Sequence, residues 1–130
     1  MGTVVVSAGK DIDMAVYSFE GKTSYDDIRL EIDNYYIGKL NKYKICDFTR
    51  AELNVTNKEV IALADQVREK GKARKNGFDA IVVPNLLYYG LARMYIAYAA
   101  YTHRDPDALK LMVFRSFDEA LEAIRRMAKK

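Results

Sequence analysis

The hydrophobic positions of the chain follow first a period of two and later a period of about 3.6, and this change separates strands from helices. Residues 3–7 form a short β-branched run. Residues 12–20 alternate, so that Met14 and Val16 would share one face and Tyr17 the opposite one. The residues between these two runs include glycine and aspartate, which favour a tight turn. The pattern therefore predicts two strands joined as a hairpin.

Three later segments have apolar side chains at helical spacing, and each follows a residue that can cap a helix. Thr23 or Ser24 precedes the first segment, and Ser116 precedes the last. The middle segment follows Thr56, which has the capping-box spacing with Glu59. The hydroxyl and the carboxylate can then each accept a hydrogen bond from a free backbone N–H. These local hydrogen bonds predict where the helices begin.

Apolar runs between the helical segments predict the remaining strands, at residues 43–48, 78–84 and 109–114. The run at 78–84 is apolar on both faces, which is typical of a strand covered by helices on both sides. The resulting order is ββαβαβαβα. We predict an α/β fold with a mixed, mostly parallel five-stranded sheet, an N-terminal hairpin and about four helices, in a single domain spanning residues 1–130.

A tyrosine-rich segment, LLYYGLARMYIAYAAY at residues 86–101, predicts a helix that is apolar nearly all round. It is too short for a membrane span, which needs about 20 apolar residues, and Arg93 interrupts it. One sheet face can bury only one apolar seam, so the other side is predicted to be an interaction face, with Gly90 allowing close approach. One seam contains Leu87, Leu91, Met94, Tyr98 and Tyr101, and the second contains Tyr88, Ala92, Tyr95 and Ala99.

Charge and composition exclude several classes of protein. The 130 residues carry a net charge of +3, and charges of both signs are interspersed, so no nucleic-acid partner is indicated. The basic stretch from Arg68 to Lys75, which includes Arg74, is interpreted as a solvated helix end. No secretory signal peptide is recognisable at the N-terminus, which favours a cytoplasmic location.

Few residues suggest catalytic chemistry. The single cysteine, Cys46, cannot form an internal disulfide, and its apolar surroundings favour a small buried hydrophobe. The single histidine, His103, precedes a polar connection and is interpreted as a surface residue. No Cys/His cluster has metal-ligand spacing, and no glycine-rich phosphate-binding motif is present. We therefore predict no metal, no cofactor and no catalytic residues.

Several short motifs follow one another along the chain. A strand ending at Asp47 leads towards a capped helix. The motif YGLARMY follows at residues 89–95, and VFRS at residues 113–116 precedes Glu119 and Ala120. Taken together, these motifs resemble those of STAS domains, in particular the SpoIIAA-like and STAS/SEC14-like subset, and the resemblance covers nearly the whole chain. It implies a compact α/β domain that regulates other proteins by contact, and SEC14-type members imply binding of lipid-like or other apolar ligands.

The resemblance also raises the question of phosphorylation. Well-known antagonists of this class carry a phosphorylatable serine in an Asp-Ser-Ser-Gly motif at the start of the second helix. The corresponding residues here are Val55, Thr56, Asn57 and Lys58, so only Thr56 offers a hydroxyl. Thr56 is therefore the candidate phosphoacceptor, although its capping role explains it without a phosphate.

A binding site is predicted where the carboxyl ends of the parallel strands meet, between the start of the tyrosine-rich helix and a loop after Asp47. The alternative is that these residues only cap helices and close loops. We expect a non-enzymatic regulatory module that binds a protein partner and forms a homodimer. The alternative function is a SEC14-like carrier or sensor of a lipid or other small apolar ligand. The candidate residues are Asp47, Thr49, Asn85, Tyr88, Tyr89, Arg93, Tyr95 and Tyr98.

Overall fold

The computed structural model describes residues 3–8, 11–100 and 106–129, the first of these ranges as backbone only. The predictions for Tyr101 and His103 fall outside the described residues. The strands and helices are β1 (Thr3–Ala8), β2 (Met14–Ser24), α1 (Tyr25–Ile37), β3 (Tyr43–Asn54), α2 (Asn57–Lys70), β4 (Phe78–Val82), α3 (Leu86–Ala99), β5 (Lys110–Phe114) and α4 (Phe117–Ala128), with a short 3-10 turn at Gly71–Ala73.

The sheet has the spatial order β1-β2-β3-β4-β5, so each strand lies beside its neighbour in sequence. β1 pairs antiparallel with β2, and β2 to β5 run parallel. Each of the helices α1, α2 and α3 connects a parallel strand to the next strand in the sheet, always in the same direction across the sheet. Right-handed connections of this kind place their helices on the same face, so α1, α2 and α3 cover one face of the sheet. α4 covers the other face. The predicted α/β class with four helices is confirmed.

Alternation along the strands divides the interior into two cores. On β2, Met14 and Val16 face α4, whereas Phe19 faces the three connecting helices. On β4, Ala80 and its neighbours two positions away face α4, and Ile81 faces the connecting helices. All five residues of β4 are buried, as predicted for a strand covered on both sides.

The helix starts are where capping chemistry predicts them. Ser24 caps α1, with Asp27 completing a capping box. The Thr56 hydroxyl accepts from the Glu59 backbone N–H at 3.2 Å, and the Glu59 carboxylate accepts from the Thr56 N–H at 2.8 Å. Ser116 caps α4. Each cap contributes about 1 kcal/mol to the stability of its helix.

β3 is longer than the sequence pattern predicts. It continues to Asn54, paired with the end of β2 at Ser24, whereas its pairing with β4 stops at Asp47. The loop predicted after Asp47 is therefore wrong. Residues 49–54 are mostly polar, and a two-stranded extension beyond the covered sheet can expose polar side chains. The end of α3 and the start and end of β4 and β5 agree with the prediction within two residues.

Candidate functional site

The inward side of α3 is its second apolar seam. Ala92 and Ala99 are buried against the protein, and Tyr88 and Tyr95 turn their rings towards the three-helix core. Burial raises the pKa of Tyr95 well above its ordinary value. The Tyr88 hydroxyl accepts a hydrogen bond from the Leu53 N–H at 3.0 Å, which ties α3 to the extension of β3. Tyr95 thus does not lie on the outer side of the helix.

The opposite side of α3 is exposed and largely apolar. Leu86 is 74% exposed, Leu87 71% and Tyr98 41%. Arg93 is also exposed, and its guanidinium donates to the Tyr89 hydroxyl at 3.4 Å. We call Leu86, Leu87, Arg93 and Tyr98 the outer surface of α3. No other part of the described chain approaches Gly90, since a Cβ atom there would have nothing within 4 Å, so the predicted close approach could only be to a partner.

A pocket lies beneath α3, between its inward side, α1, α2 and the sheet. Its volume is about 80 Å³, and most of its wall is apolar. One water needs about 10–15 Å³ by this measure, so the space is several times that of a single water. Of the candidate residues, Tyr88 and Tyr95 line it. Glu31, Tyr36, Lys44, Cys46 and Asp79 supply polar groups to the same wall.

Two buried ion pairs stand beside the pocket. The Lys44 Nζ lies 3.0 and 3.2 Å from the two carboxylate oxygens of Glu31, and the side chains are 4% and 3% exposed. The same ammonium lies over the ring of Tyr35 at 4.2 Å from its centroid. Burial raises the pKa of Glu31, and the attraction of Lys44 opposes that rise. A buried pair of this kind is stable only while both partners are present.

Arg74 forms the second pair, with Asp79. Its guanidinium also donates to the backbone carbonyls of Asn41 at 3.0 Å and Lys42 at 3.2 Å. These three donated bonds satisfy most of a guanidinium, which explains how it is tolerated in the interior. The interpretation of Arg74 as part of a solvated helix end is wrong. The other basic residues that follow α2 are exposed or half-buried.

Burial raises the pKa of two neutral groups in the pocket wall, the Tyr36 hydroxyl and the Cys46 thiol. The Tyr36 hydroxyl oxygen is buried and has no hydrogen-bond partner among the described residues. Burial raises its pKa to about 12. Cys46 is a free thiol, and burial likewise raises its pKa to about 12. Cys46 is thus an unreactive part of the wall at neutral pH, in agreement with its interpretation as a small hydrophobe.

The remaining candidate residues have local roles in the structure. Asp47 accepts from the Thr49 N–H at 2.9 Å, and Asn85 caps α3 by accepting from the Tyr88 N–H. Thr56 is exposed and engaged in the cap of α2. None of the residues Asp47, Thr49, Asn85, Tyr89 and Arg93 lines the pocket.

The strand order explains why the pocket does not lie at the carboxyl edge of the sheet. In open α/β sheets the crevice forms where the strand order reverses and helices diverge to opposite faces. Here the described strands follow one another in sequence order, so no such reversal separates two connecting helices. The space lies instead between the sheet and the helices on one of its faces.

Sequence reasoning missed the buried ion pairs, although a signal for them was present. Lys44 and Asp79 each stand at an inward position of an apolar strand, in the runs YKICDF and FDAIVV. A charge at such a position needs a buried partner of opposite sign. The identity of the partners, Glu31 and Arg74, depends on how α1 and the residues after α2 pack on the sheet.

Two further classes of feature are missing from the part of the chain that the structure describes. It contains no helix that is long and apolar enough to cross a membrane. Within the same residues, no three histidine, cysteine or acidic side chains are grouped so that they could hold a metal ion.

No protein-family profile matches the sequence, and no curated protein matches it. Solved structures match over nearly the whole chain. One is the anti-sigma factor antagonist SpoIIAA in its unphosphorylated form, with a TM-score of 0.58, 13% identity, and coverage of 95% of this chain and 98% of the other. An uncharacterised protein with a SpoIIAA-like fold from Shewanella loihica PV-4 has a TM-score of 0.57, 16% identity, and coverage of 95% and 93%.

An anti-sigma factor antagonist from Mycobacterium paratuberculosis also matches, with a TM-score of 0.53, 17% identity, and coverage of 96% of this chain and 95% of the other. The chain therefore has the SpoIIAA-like fold. The resemblance seen in the sequence motifs is confirmed at the level of the fold.

Proposed function

We propose that this protein is a non-enzymatic regulatory module that recognises a protein partner, a second copy of itself included, through the outer surface of α3. The observation that carries the proposal is the exposure of Leu86 and Leu87 at the start of that helix. Large apolar side chains that adjoin one another in a contiguous exposed patch are typical of contact surfaces.

The composition of the surface supports a protein partner. Tyr98 and Arg93 belong to the residue types that are enriched at protein interfaces, because each combines a large contact area with a polar end. Arg93 offers a cation that can bind a carboxylate at the rim of the contact. The similarity in fold to anti-sigma factor antagonists is in keeping with a regulatory role.

Self-association is tested by sedimentation of the protein at micromolar concentrations, comparing the wild type with Leu87→Glu. We expect a dimer for the wild type and a folded monomer for the variant, because the charge would be desolvated in the contact. The matched control is Leu30→Glu. Leu30 is 54% exposed on α1, which packs beside α2 rather than α3. The Leu30→Glu variant should therefore remain a dimer.

A partner of another kind is tested by retention of proteins from the source cell on the immobilised chain. A specific partner should be retained by the wild type and by Leu30→Glu but lost with Leu87→Glu. A wild-type protein that is monomeric and whose retained proteins are indifferent to Leu87→Glu would rule out the outer surface of α3 as the contact.

The comparisons lend no support to a SEC14-like carrier. The one observation that favours binding of a small molecule is the pocket beneath α3, which lies on the inward side of the helix and away from the proposed contact surface.

A further inference from the structure

The pocket beneath α3 combines two features that an empty protein interior normally avoids. Cores are packed at about the density of organic crystals, with few voids larger than a water. A pocket of about 80 Å³ leaves apolar side chains such as Ile81, Leu63 and Val67 without protein contacts on one side. A buried hydroxyl without a partner, as at Tyr36, adds the cost of its desolvation. A single ligand with an apolar body and one polar atom would remove both costs.

The charges around the pocket restrict the ligand further. Glu31 and Asp79 are each matched by a buried cation, Lys44 and Arg74 respectively. The two pairs sum to zero, and their donors and acceptors are directed largely at one another. A charged ligand would therefore enter a low-dielectric space without a free counter-ion, which is strongly unfavourable.

The Tyr36 hydroxyl sets the polar contact. Tyr36 is one of the residues that line the pocket, and its hydroxyl oxygen is buried without a hydrogen-bond partner among the described residues, so the group that it can offer to a ligand is an O–H donor. Because burial raises the pKa of Tyr36, the proton stays on the oxygen across the physiological range. The complementary ligand atom is a hydrogen-bond acceptor such as a carbonyl oxygen.

We propose that the pocket beneath α3 binds a small, uncharged, mainly apolar molecule whose single hydrogen-bond acceptor receives the Tyr36 hydroxyl proton. The site is separate from the outer surface of α3, because the two lie on opposite sides of the same helix. Binding at either one does not require the other.

Three probes of one shape test the proposal: acetophenone, which has an acceptor, ethylbenzene, which lacks it, and benzoate, which adds a charge. Titrations followed by amide NMR shifts and calorimetry measure the dissociation constants. We expect acetophenone to bind with shifts at Ile81, Val83 and Ala92. Ethylbenzene should bind roughly two- to tenfold more weakly, the range that one hydrogen bond supplies. Benzoate should bind most weakly.

Variants locate the probe. Tyr36→Phe should weaken acetophenone to the level of ethylbenzene and leave ethylbenzene unchanged, since only the donor is removed. Ala92→Phe should abolish binding of both by filling the pocket. If Ala92→Phe does not fold, the selective loss in Tyr36→Phe decides the question. Equal binding of all three probes, or no shift at pocket residues in the wild type, would overturn the proposal. So would unaltered acetophenone binding in Tyr36→Phe.

Leu87→Glu separates this proposal from the proposed protein contact. That variant should lose association while it binds acetophenone as the wild type does. A wild type that associates but ignores the probes refutes the pocket alone. A wild type that binds the probes but does not associate refutes the contact surface alone.

Discussion

The two faces of the sheet differ in how their interiors are built. The core beneath α4 consists of apolar side chains, among them Ile45, Val82 and Ile124, that are fully buried. The core beneath α1, α2 and α3 is also apolar for the most part, but it contains the pocket and borders two buried ion pairs. The face covered by α4 therefore provides close apolar packing, which any fold of this kind needs. The other spends stability on polar groups and empty space, which is the usual mark of a binding region.

Breaking an ion pair should produce the largest change. Glu31→Gln leaves the Lys44 ammonium buried without a counter-charge, and we expect the free energy of unfolding to fall by about 3–5 kcal/mol. The double variant Glu31→Leu with Lys44→Met removes both charges and should lose far less. Urea denaturation monitored by circular dichroism measures both. A single variant as stable as the double one would mean that the pair is not held in a dry interior.

A matched pair of isoleucines compares the two cores directly. Ile45 on β3 faces α4, and Ile81 on β4 lines the pocket. Ile45→Ala should cost about 4 kcal/mol, within the range known for buried isoleucine. Ile81→Ala should cost about 2 kcal/mol, because part of its side chain already faces empty space. Equal losses in the same denaturation experiment would show that the pocket is closed in solution.

Alkaline pH should destabilise the three-helix side through buried groups whose pKa is raised by folding, among them the Tyr95 phenol, the Tyr36 phenol and the Cys46 thiol. The pKa of Cys46 rises from 9.0, and that of Tyr36 from 10.0, to about 12 on folding. The unfolded chain thus releases these protons first. The stability that they contribute is fully present below pH 9 and is lost as the pH rises towards 12. The slope is at most about 1.4 kcal/mol per pH unit for each group.

Denaturation at several values between pH 8 and pH 11 tests this dependence, with the double variant Cys46→Ala and Tyr36→Phe as the control. The variant should show a shallower decline than the wild type. Identical slopes would mean that the thiol and the phenol meet water in the folded state.

Removing a helix cap should cost the same stability on either face of the sheet. Thr56→Ala on α2 and Ser116→Ala on α4 should each cost about 1 kcal/mol, since a cap acts within its own first turn. Thr56→Asp should be tolerated, because an aspartate can also cap and suits the positive helix end. If the melting temperature falls in only one of the two alanine variants, that cap must also take part in tertiary packing. A phosphate found on Thr56 in protein from the native host would add a signalling role to the cap.

The smallest effect is expected on the outer surface of α3. Gly90→Ala should stabilise the protein by about 0.5–1 kcal/mol, because alanine favours the helix and the added Cβ meets open space. A loss of stability on thermal denaturation of the monomeric variant Leu87→Glu with Gly90→Ala would contradict this. Such a loss would restore a packing role for the glycine.

The elements that the sequence predicted well are those decided by neighbouring residues. Thr56 and Ser116 each cap the helix that begins beside them, through hydrogen bonds that span three residues. The alternation of Met14, Val16 and Phe19 follows from the pleat of a strand, which puts successive side chains on opposite faces. Patterns of this range are sufficient to predict the α/β class and the number of helices, because they do not depend on tertiary contacts.

Other features depended on contacts between residues that are distant along the chain. Both seams of α3 are apolar, and only the packing of that helix on the sheet decided that Tyr95 lies inward and Tyr98 outward. The extension of β3 to Asn54 depends on its partner β2, since its own residues are too polar to predict a strand. The apolar surroundings of Lys44 and Asp79 in the sequence indicate buried charges. Their partners lie in other parts of the chain, so the sequence pattern does not identify them. The hydrophobic effect has no direction, so the sequence determined which surfaces are apolar, and the fold decided what covers them.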